Sequence, residues 1–201
     1  MTDILVHGAV TSAIYAMLAV GFTLVFGVAR ILNLAHGAFY MLGAYFTYLF
    51  ATLLGLPLAL AALAAIAATA GLGWAVERWL IRPQRDSSMA VMMVTMAFLL
   101  VAEQVLLVTF GSEVVNVPAF ADAKFSLGGA DIGGQQLLTL ATAVAALAVL
   151  WLLIQRTRAG AAILALSQDP LAAQYMGIPI DRVYGRVVAL SAGLAALAGV
   201  M

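Results

Sequence analysis

The sequence predicts an all-α fold: a polytopic transmembrane helical bundle with five full spans, a partial sixth, and one short cytoplasmic helix. Three observations predict it. Of 201 residues 65% are hydrophobic and 9% charged, with mean hydropathy +1.11, which leaves too little polar surface to clothe a water-soluble domain. Charge-free runs cover 4–29, 31–76, 87–102 with a continuation beyond Glu103 to 112, and 132–155, each long enough, at about 1.5 Å per helical residue, to cross a hydrocarbon core of about 30 Å. Finally, arginines gather in two places, Arg78, Arg82 and Arg85, then Arg156, Arg158, Arg182 and Arg186, which marks those loops as cytoplasmic.

The first span is expected over 9–29. Its flank Met1-Thr2-Asp3 carries no positive charge and its charge-free run is longer than the core of a cleavable signal, so it is read as a retained helix. Gly8, Ser12 and Ala16 recur every four residues, as do Ser191, Ala195 and Gly199. Such small faces allow close backbone approach, although alanine-rich membrane helices produce them by chance.

A break is expected between Arg30 and Gly37, because Arg30, Asn33 and His36 are spaced by three and Gly37 allows a bend. Asn33 can cap a broken helix or line a path. His36 is a structural tie at the bend: His7 is the only other histidine and cysteine is absent, so no ligand set for a metal exists and no catalytic site, cofactor or metal is expected. The second and third spans, 34–54 and 58–77, divide at Gly55-Leu56-Pro57. With the amino terminus outside, Arg30 joins the cytoplasmic arginines. Tyr15, Tyr45 and Tyr48 are expected as interface anchors.

The fourth span, 89–110, contains Glu103 beside Gln104, about two turns from its outer end. A carboxylate at membrane depth costs on the order of 2.5–3.5 kcal/mol on insertion scales, so Glu103 is expected to face protein, as a helix tie or on a pathway. The loop to the fifth span carries Lys124 against Glu113, Asp122 and Asp131, with turns expected at Gly128-Gly129 and Gly133-Gly134. The fifth span is 136–154. A sixth begins near Val187 and reaches Met201 after about 22 Å of helix, short of the bilayer. This leads to the expectation of a piece of a larger protein, or of an end completed by another polypeptide. The whole is one transmembrane domain, 1–201, with a cytoplasmic loop over 155–186.

That loop contains SQDPLAAQYMGIP, residues 167–179. Asp169 is a good N-cap and Pro170 suits the first helical position. Gly177 can close the helix in the left-handed conformation and Pro179 prevents its resumption. About two turns result, far too short to span. Leu171 and Tyr175 share a face, with Ala172 and Met176 beside them and Ile178 following, and the small Ala172 and Ala173 favour close approach of a docked partner. This apolar knob needs a cover, either membrane lipid and the protein's own helix ends or a groove on a soluble partner.

Two separated blocks carry a family resemblance. GFTLVFGVARILNLAHGAFYMLGAY (21–45) and RTRAGAAILALSQDPLAAQYMGIPIDRVYGRVVALSAGLAALAG (156–199), together with VTMAFLLVAEQVLLVTFG (94–111), resemble the LivH-type permease subunits of branched-chain amino-acid ABC importers, over essentially the whole chain. The resemblance implies that the 155–186 loop carries a coupling helix seated in a cleft of an ATP-binding subunit, formed by Asp169, Pro170, Leu171, Ala172, Ala173, Tyr175, Met176, Gly177 and Ile178. It implies that Asn33, His36, Gly37 and Tyr40 belong to the family's architecture, and with Glu103 and Gln104 they are the candidate path or break residues. It also implies a second permease subunit, a periplasmic or extracellular solute-binding protein, a bacterial or archaeal cytoplasmic membrane, and two or three further spans than are present here.

No phosphate-binding loop occurs in the sequence, so ATP hydrolysis is expected from a separate subunit. Zero net charge points to no nucleic-acid partner. The resemblance implies transport without chemistry: inward movement of branched-chain or related amino acids, with urea, amides or other small polar solutes as alternative cargo. Two other readings stay open, an ion-coupled secondary transporter using Glu103 and a non-transporting truncated remnant.

Overall fold

The computed structural model describes residues 2–111, 124–127 and 130–201. The helices are α1 (Thr2–Ala29), α2 (Ala35–Leu53), α3 (Leu58–Val76), α4 (Ser88–Phe110), α5 (Gly134–Arg156), α6 (Arg158–Gln168), α7 (Pro170–Tyr175) and α8 (Ile180–Val200). A π-helical turn (Glu77–Ile81) and a 3₁₀ turn (Arg82–Gln84) extend α3. Before α5, a hairpin pairs β1 (Lys124–Leu127) with β2 (Ala130–Gly133), antiparallel, with Leu127 opposite Ala130. The turn expected at Gly128-Gly129 lies outside the described residues.

Polar contacts identify the two ends of the bundle. At one, the Gln136 amide lies 3.3 Å from His7 Nδ1 and the Gln135 amide donates to the Met201 carbonyl at 3.4 Å. At the other, Arg30 donates to the Ser167 carbonyl at 3.4 Å and Arg85 meets Asp181 at 2.9 Å. Hence α1, α3 and α5 run from the first end to the second, and α2, α4 and α8 return. All the arginines of the two clusters lie in segments at the second end, the side that charge asymmetry marks as cytoplasmic. Trp74 stands there under the Arg78 guanidinium, 5.5 Å from ring to charge.

Among the described residues, five helices are long and apolar enough to cross a membrane: α1, α3 with its extension to Gln84, α4, α5 and α8. Two expectations are corrected here. The partial sixth span is a full one, since α8 starts at Ile180 instead of near Val187 and runs 21 residues. The charges that suggested a loop are tolerated because Asp181 is paired with Arg82 and Arg85 at the bundle end. Conversely, α2 has span length, 19 residues, but is absent from that apolar set. Its His36, Thr47 and tyrosines are carried in a helix that packs against α3, α4 and α8, so protein, not lipid, surrounds much of it.

The core sits around α8, the most deeply buried of these five helices. One cluster joins Phe39 and Leu42 of α2 to Val91 and Leu106 of α4 and Ala192 and Ala195 of α8. A second joins Val25 and Val28 of α1, Leu150 of α5, Ile163 and Leu166 of α6, Ala173 of α7 and Val187 of α8. Of the two small-residue stripes, the one on α8 is used: Ser191 and Ala195 are buried, and a Cβ at Gly199 would sit 2.1 Å from the Tyr40 carbonyl oxygen. The stripe on α1 is not, since a Cβ at Gly8 would meet nothing within 4 Å. Buried Thr47, Thr69 and Thr95 each return their hydroxyl to the carbonyl four residues back, and the Thr95 oxygen also accepts from the Leu34 N–H at 3.2 Å, which ties α4 to the start of α2.

Candidate functional site

The short helix is built as its residues dictate. The Asp169 carboxylate accepts from the N–H groups of Leu171 and Ala172 at 2.9 and 3.0 Å, and Pro170 opens the helix without wasting a donor. At its end Gly177 takes φ +80°, its N–H reaches the Gln174 carbonyl at 2.9 Å, and the Ile178 N–H reaches the Ala173 carbonyl at 3.1 Å. This is a complete Schellman closure. Both ends of a six-residue helix are thus fixed by local bonds.

Its side chains divide sharply. Leu171, Tyr175 and Met176 are 67%, 89% and 83% exposed, and Ala172 and Gly177 are exposed with them. Ala173, expected with Ala172 to allow close approach of a partner, is instead 4% exposed and packs into the core cluster shared with α1, α6 and α8, with Ile178 against it. The reason is geometric. Ala173 lies two residues from both Leu171 and Tyr175, on the opposite side of a helix with 3.6 residues per turn. The knob therefore consists of Leu171, Tyr175 and Met176 on a base anchored through Ala173.

Sequence reasoning missed α6. The Thr157 hydroxyl accepts from the Gly160 N–H at 3.0 Å and starts this helix, whose Gly160, Ile163 and Leu166 are buried at spacings of three. Those two signals, an N-cap threonine and an apolar repeat, were present in the sequence but were overshadowed by the flanking arginines. It is α6 that holds α7 beyond the end of α5.

At the break between α1 and α2, the chain turns at Arg30 instead of Gly37. Arg30 has φ +54°, and its N–H returns to the Phe26 carbonyl at 2.9 Å to close α1. Gly37 lies inside α2, exposed, with open space where a Cβ would be. Asn33, 3% exposed, accepts from the Ala35 N–H at 3.1 Å and so satisfies a free donor at the start of α2. His36 places Nε2 3.0 Å from the Leu18 carbonyl and Nδ1 3.0 Å from the Ser191 hydroxyl. Tyr40 is exposed at its ring, while its carbonyl abuts Gly199. Asn33, His36 and Tyr40 are brought to α2, whereas Glu103 and Gln104 stand apart on α4.

Glu103, expected to face protein, meets no other helix of this chain. Glu103 and Gln104 are exposed on the outer face of α4 with Leu100, Val101 and Leu107. Among the described residues Glu103 has no hydrogen bond or ion pair. The sequence gives the depth of a residue along a span but not its azimuth, because α4 is apolar on all sides and shows no face.

The profile of a protein family described as "Branched-chain amino acid transport system / permease component" matches residues 4–201. The high-affinity branched-chain amino acid transport system permease protein LivH of Escherichia coli is 27% identical over 209 aligned positions, covering 97% of this chain and 68% of that protein. The permease protein BraD of Pseudomonas aeruginosa is 28% identical, covering 98% of this chain and 69% of its own length. A probable branched-chain amino acid transport permease protein LivH of the archaeon Methanocaldococcus jannaschii is 28% identical over 94% of this chain and 62% of its own. No solved structure matches the chain.

Proposed function

Because this chain belongs to the family of branched-chain amino acid transport permease components, and is a multi-pass protein of the cytoplasmic membrane, we propose that it passes branched-chain or closely related amino acids inward, driven by a separate ATP-hydrolysing subunit. The observation that carries the mechanism is α7: a helix fixed at both ends by local bonds, exposing Leu171, Tyr175 and Met176 at the cytoplasmic end. In this reading the three side chains fill a cleft of the ATPase subunit, and Ala173 transmits the displacement to α1, α6 and α8 through the core cluster it shares with them. An apolar tip of this kind fits a protein groove better than solvent, which would leave nearly the whole of Tyr175 wet.

The permease performs no bond-making chemistry in this scheme. A solute-binding protein delivers the amino acid at the end marked by His7 and Gln136, and a second permease subunit completes the path. The outward-facing Glu103 and Gln104 favour a path or contact formed between two subunits over one enclosed by this chain alone.

The test is uptake by the reconstituted complete transporter. ATP-dependent leucine uptake that survives collapse of ion gradients is expected, and uptake that follows a gradient without ATP would instead support ion-coupled transport. Replacing Leu171 and Tyr175 together by Asp is expected to remove the ATPase subunit from the purified complex. Its retention at wild-type level overturns the docking role of α7.

A further inference from the structure

The chain leaves α7 through Pro179 and enters α8 at once, so whatever displaces the peg acts on the opening turn of α8 as well as on α6. That turn is tied across the bundle. The Asp181 carboxylate takes Arg85 Nη1 at 2.9 Å and also Arg82, both from the segment joining α3 to α4. Arg85 uses its other terminal nitrogen on Glu77, in the π-helical turn, and its guanidinium carbon lies 4.3 Å from the centre of the Tyr184 ring. Asp181 and Tyr184 are three apart, on one face of α8, so Arg85 is gripped from two sides by one helix and from a third by Glu77.

Burial grades through the cluster. The side chains of Arg82 and Asp181 are 41% and 45% exposed, that of Arg85 20% and that of Glu77 4%. A helical rotation of α8 by even one residue would carry Asp181 about 100° away and leave Glu77 and Arg85 to each other. Ion pairs of this geometry are either made or broken, which suits transmission of a discrete step better than a greasy contact that slides.

We propose that Asp181, Arg82, Arg85 and Glu77 form a clamp that converts displacement of the peg into joint movement of α8 with the α3–α4 hairpin. All four are positioning residues for transport: they touch neither solute nor nucleotide. The inference rests on the docking role of α7 given above, and it adds a route by which that movement reaches α4, the helix bearing Glu103. Without the clamp, the peg moves α8 while α3 and α4 lag, so hydrolysis continues but is no longer matched by passage of solute.

The measurement is leucine moved per ATP hydrolysed by the complete transporter in proteoliposomes, alongside the amount of ATPase subunit that co-purifies. For Asp181→Asn we expect wild-type co-purification, retained hydrolysis, and a ratio lowered about 10-fold, the size of an ordinary coupling between sites. Asp181→Glu, which keeps the charge, restores the ratio. Arg82→Gln, at the exposed rim where folding is least at risk, lowers the ratio in the same direction. A wild-type ratio in Asp181→Asn and Arg82→Gln overturns the clamp, as does a loss of uptake matched by an equal loss of bound ATPase subunit. Co-purification that survives Leu171→Asp with Tyr175→Asp overturns the docking premise and the clamp with it. Its loss there, beside a normal ratio in Asp181→Asn, overturns the clamp alone.

Discussion

His36 and Ser191 meet with 3.0 Å between Nδ1 and the hydroxyl, and the opposite ring nitrogen lies 3.0 Å from the Leu18 carbonyl. A carbonyl can only accept, so Nε2 donates to Leu18 and Nδ1 takes the Ser191 hydroxyl, a division that one neutral tautomer satisfies in full. One imidazole thereby joins α2 to α1 and α8, and Phe22 stands edge-on to it at 6.0 Å.

Removal of His36 leaves the buried Ser191 hydroxyl without this bond, and removal of Ser191 leaves Nδ1 without its donor while Nε2 keeps the Leu18 carbonyl. Ser191→Ala is expected to lower stability by about 1–3 kcal/mol. His36→Ala is expected to lower it more, and the double variant by less than the sum of the two. Thermal unfolding of the purified protein in detergent measures all three, and additive losses would show that the two residues act separately.

Close approach governs a second prediction. A Cβ on Gly43 would lie 2.4 Å from the Ala196 Cα, whereas one on Gly8 meets nothing within 4 Å. Gly43→Val forces α2 from α8 and is expected to destabilise by about 1–3 kcal/mol or more. Gly8→Ala should be neutral to slightly stabilising. The same melting experiment compares them, and equal effects would contradict the tight α2–α8 seam.

Arg30 is a non-glycine residue at φ +54°, a conformation that costs an L-residue on the order of 1 kcal/mol. Arg30→Gly removes that strain and forfeits only the 3.4 Å bond to the Ser167 carbonyl. The variant is therefore expected to melt at or above the wild-type temperature. A clear drop would mean that the guanidinium contributes more at the base of α6 than its single long bond suggests.

Glu103 gives opposite expectations in two settings. In the isolated subunit its carboxylate is exposed on α4, and Glu103→Leu removes a charge whose insertion costs about 2.5–3.5 kcal/mol, so the subunit gains stability. In the assembled transporter the same change is expected to cut leucine uptake or the yield of the two-permease complex. Normal uptake and normal assembly would leave Glu103 without a role between subunits.

The two-turn helix was legible because its signals are local: Asp169, Pro170, Gly177 and Pro179 each act within a few residues, and the structure places them as caps and stops. The limits of α2 to α5 were legible from charge-free runs for the same reason, whereas α1 starts earlier, at Thr2, and α8 earlier, at Ile180. What escaped is long-range. Arg85 and Asp181 are 96 residues apart in sequence, and no local pattern marks them as partners, so their charges suggested a loop where α8 had already begun. The position of the bend was missed because glycine was expected where an arginine adopts the left-handed conformation.

The composition of α2 bears on how the chain enters the bilayer. With His36, Tyr40, Tyr45, Thr47, Tyr48 and Thr52 in 19 residues, this segment is a poor substrate for partitioning into oil on its own. Its neighbours in sequence are far greasier, and Gly55 folds it back onto one of them. During biosynthesis α2 would then leave the translocon together with α3 as a hairpin, so mutations that harm α3 should strand α2 on the wrong side of the membrane.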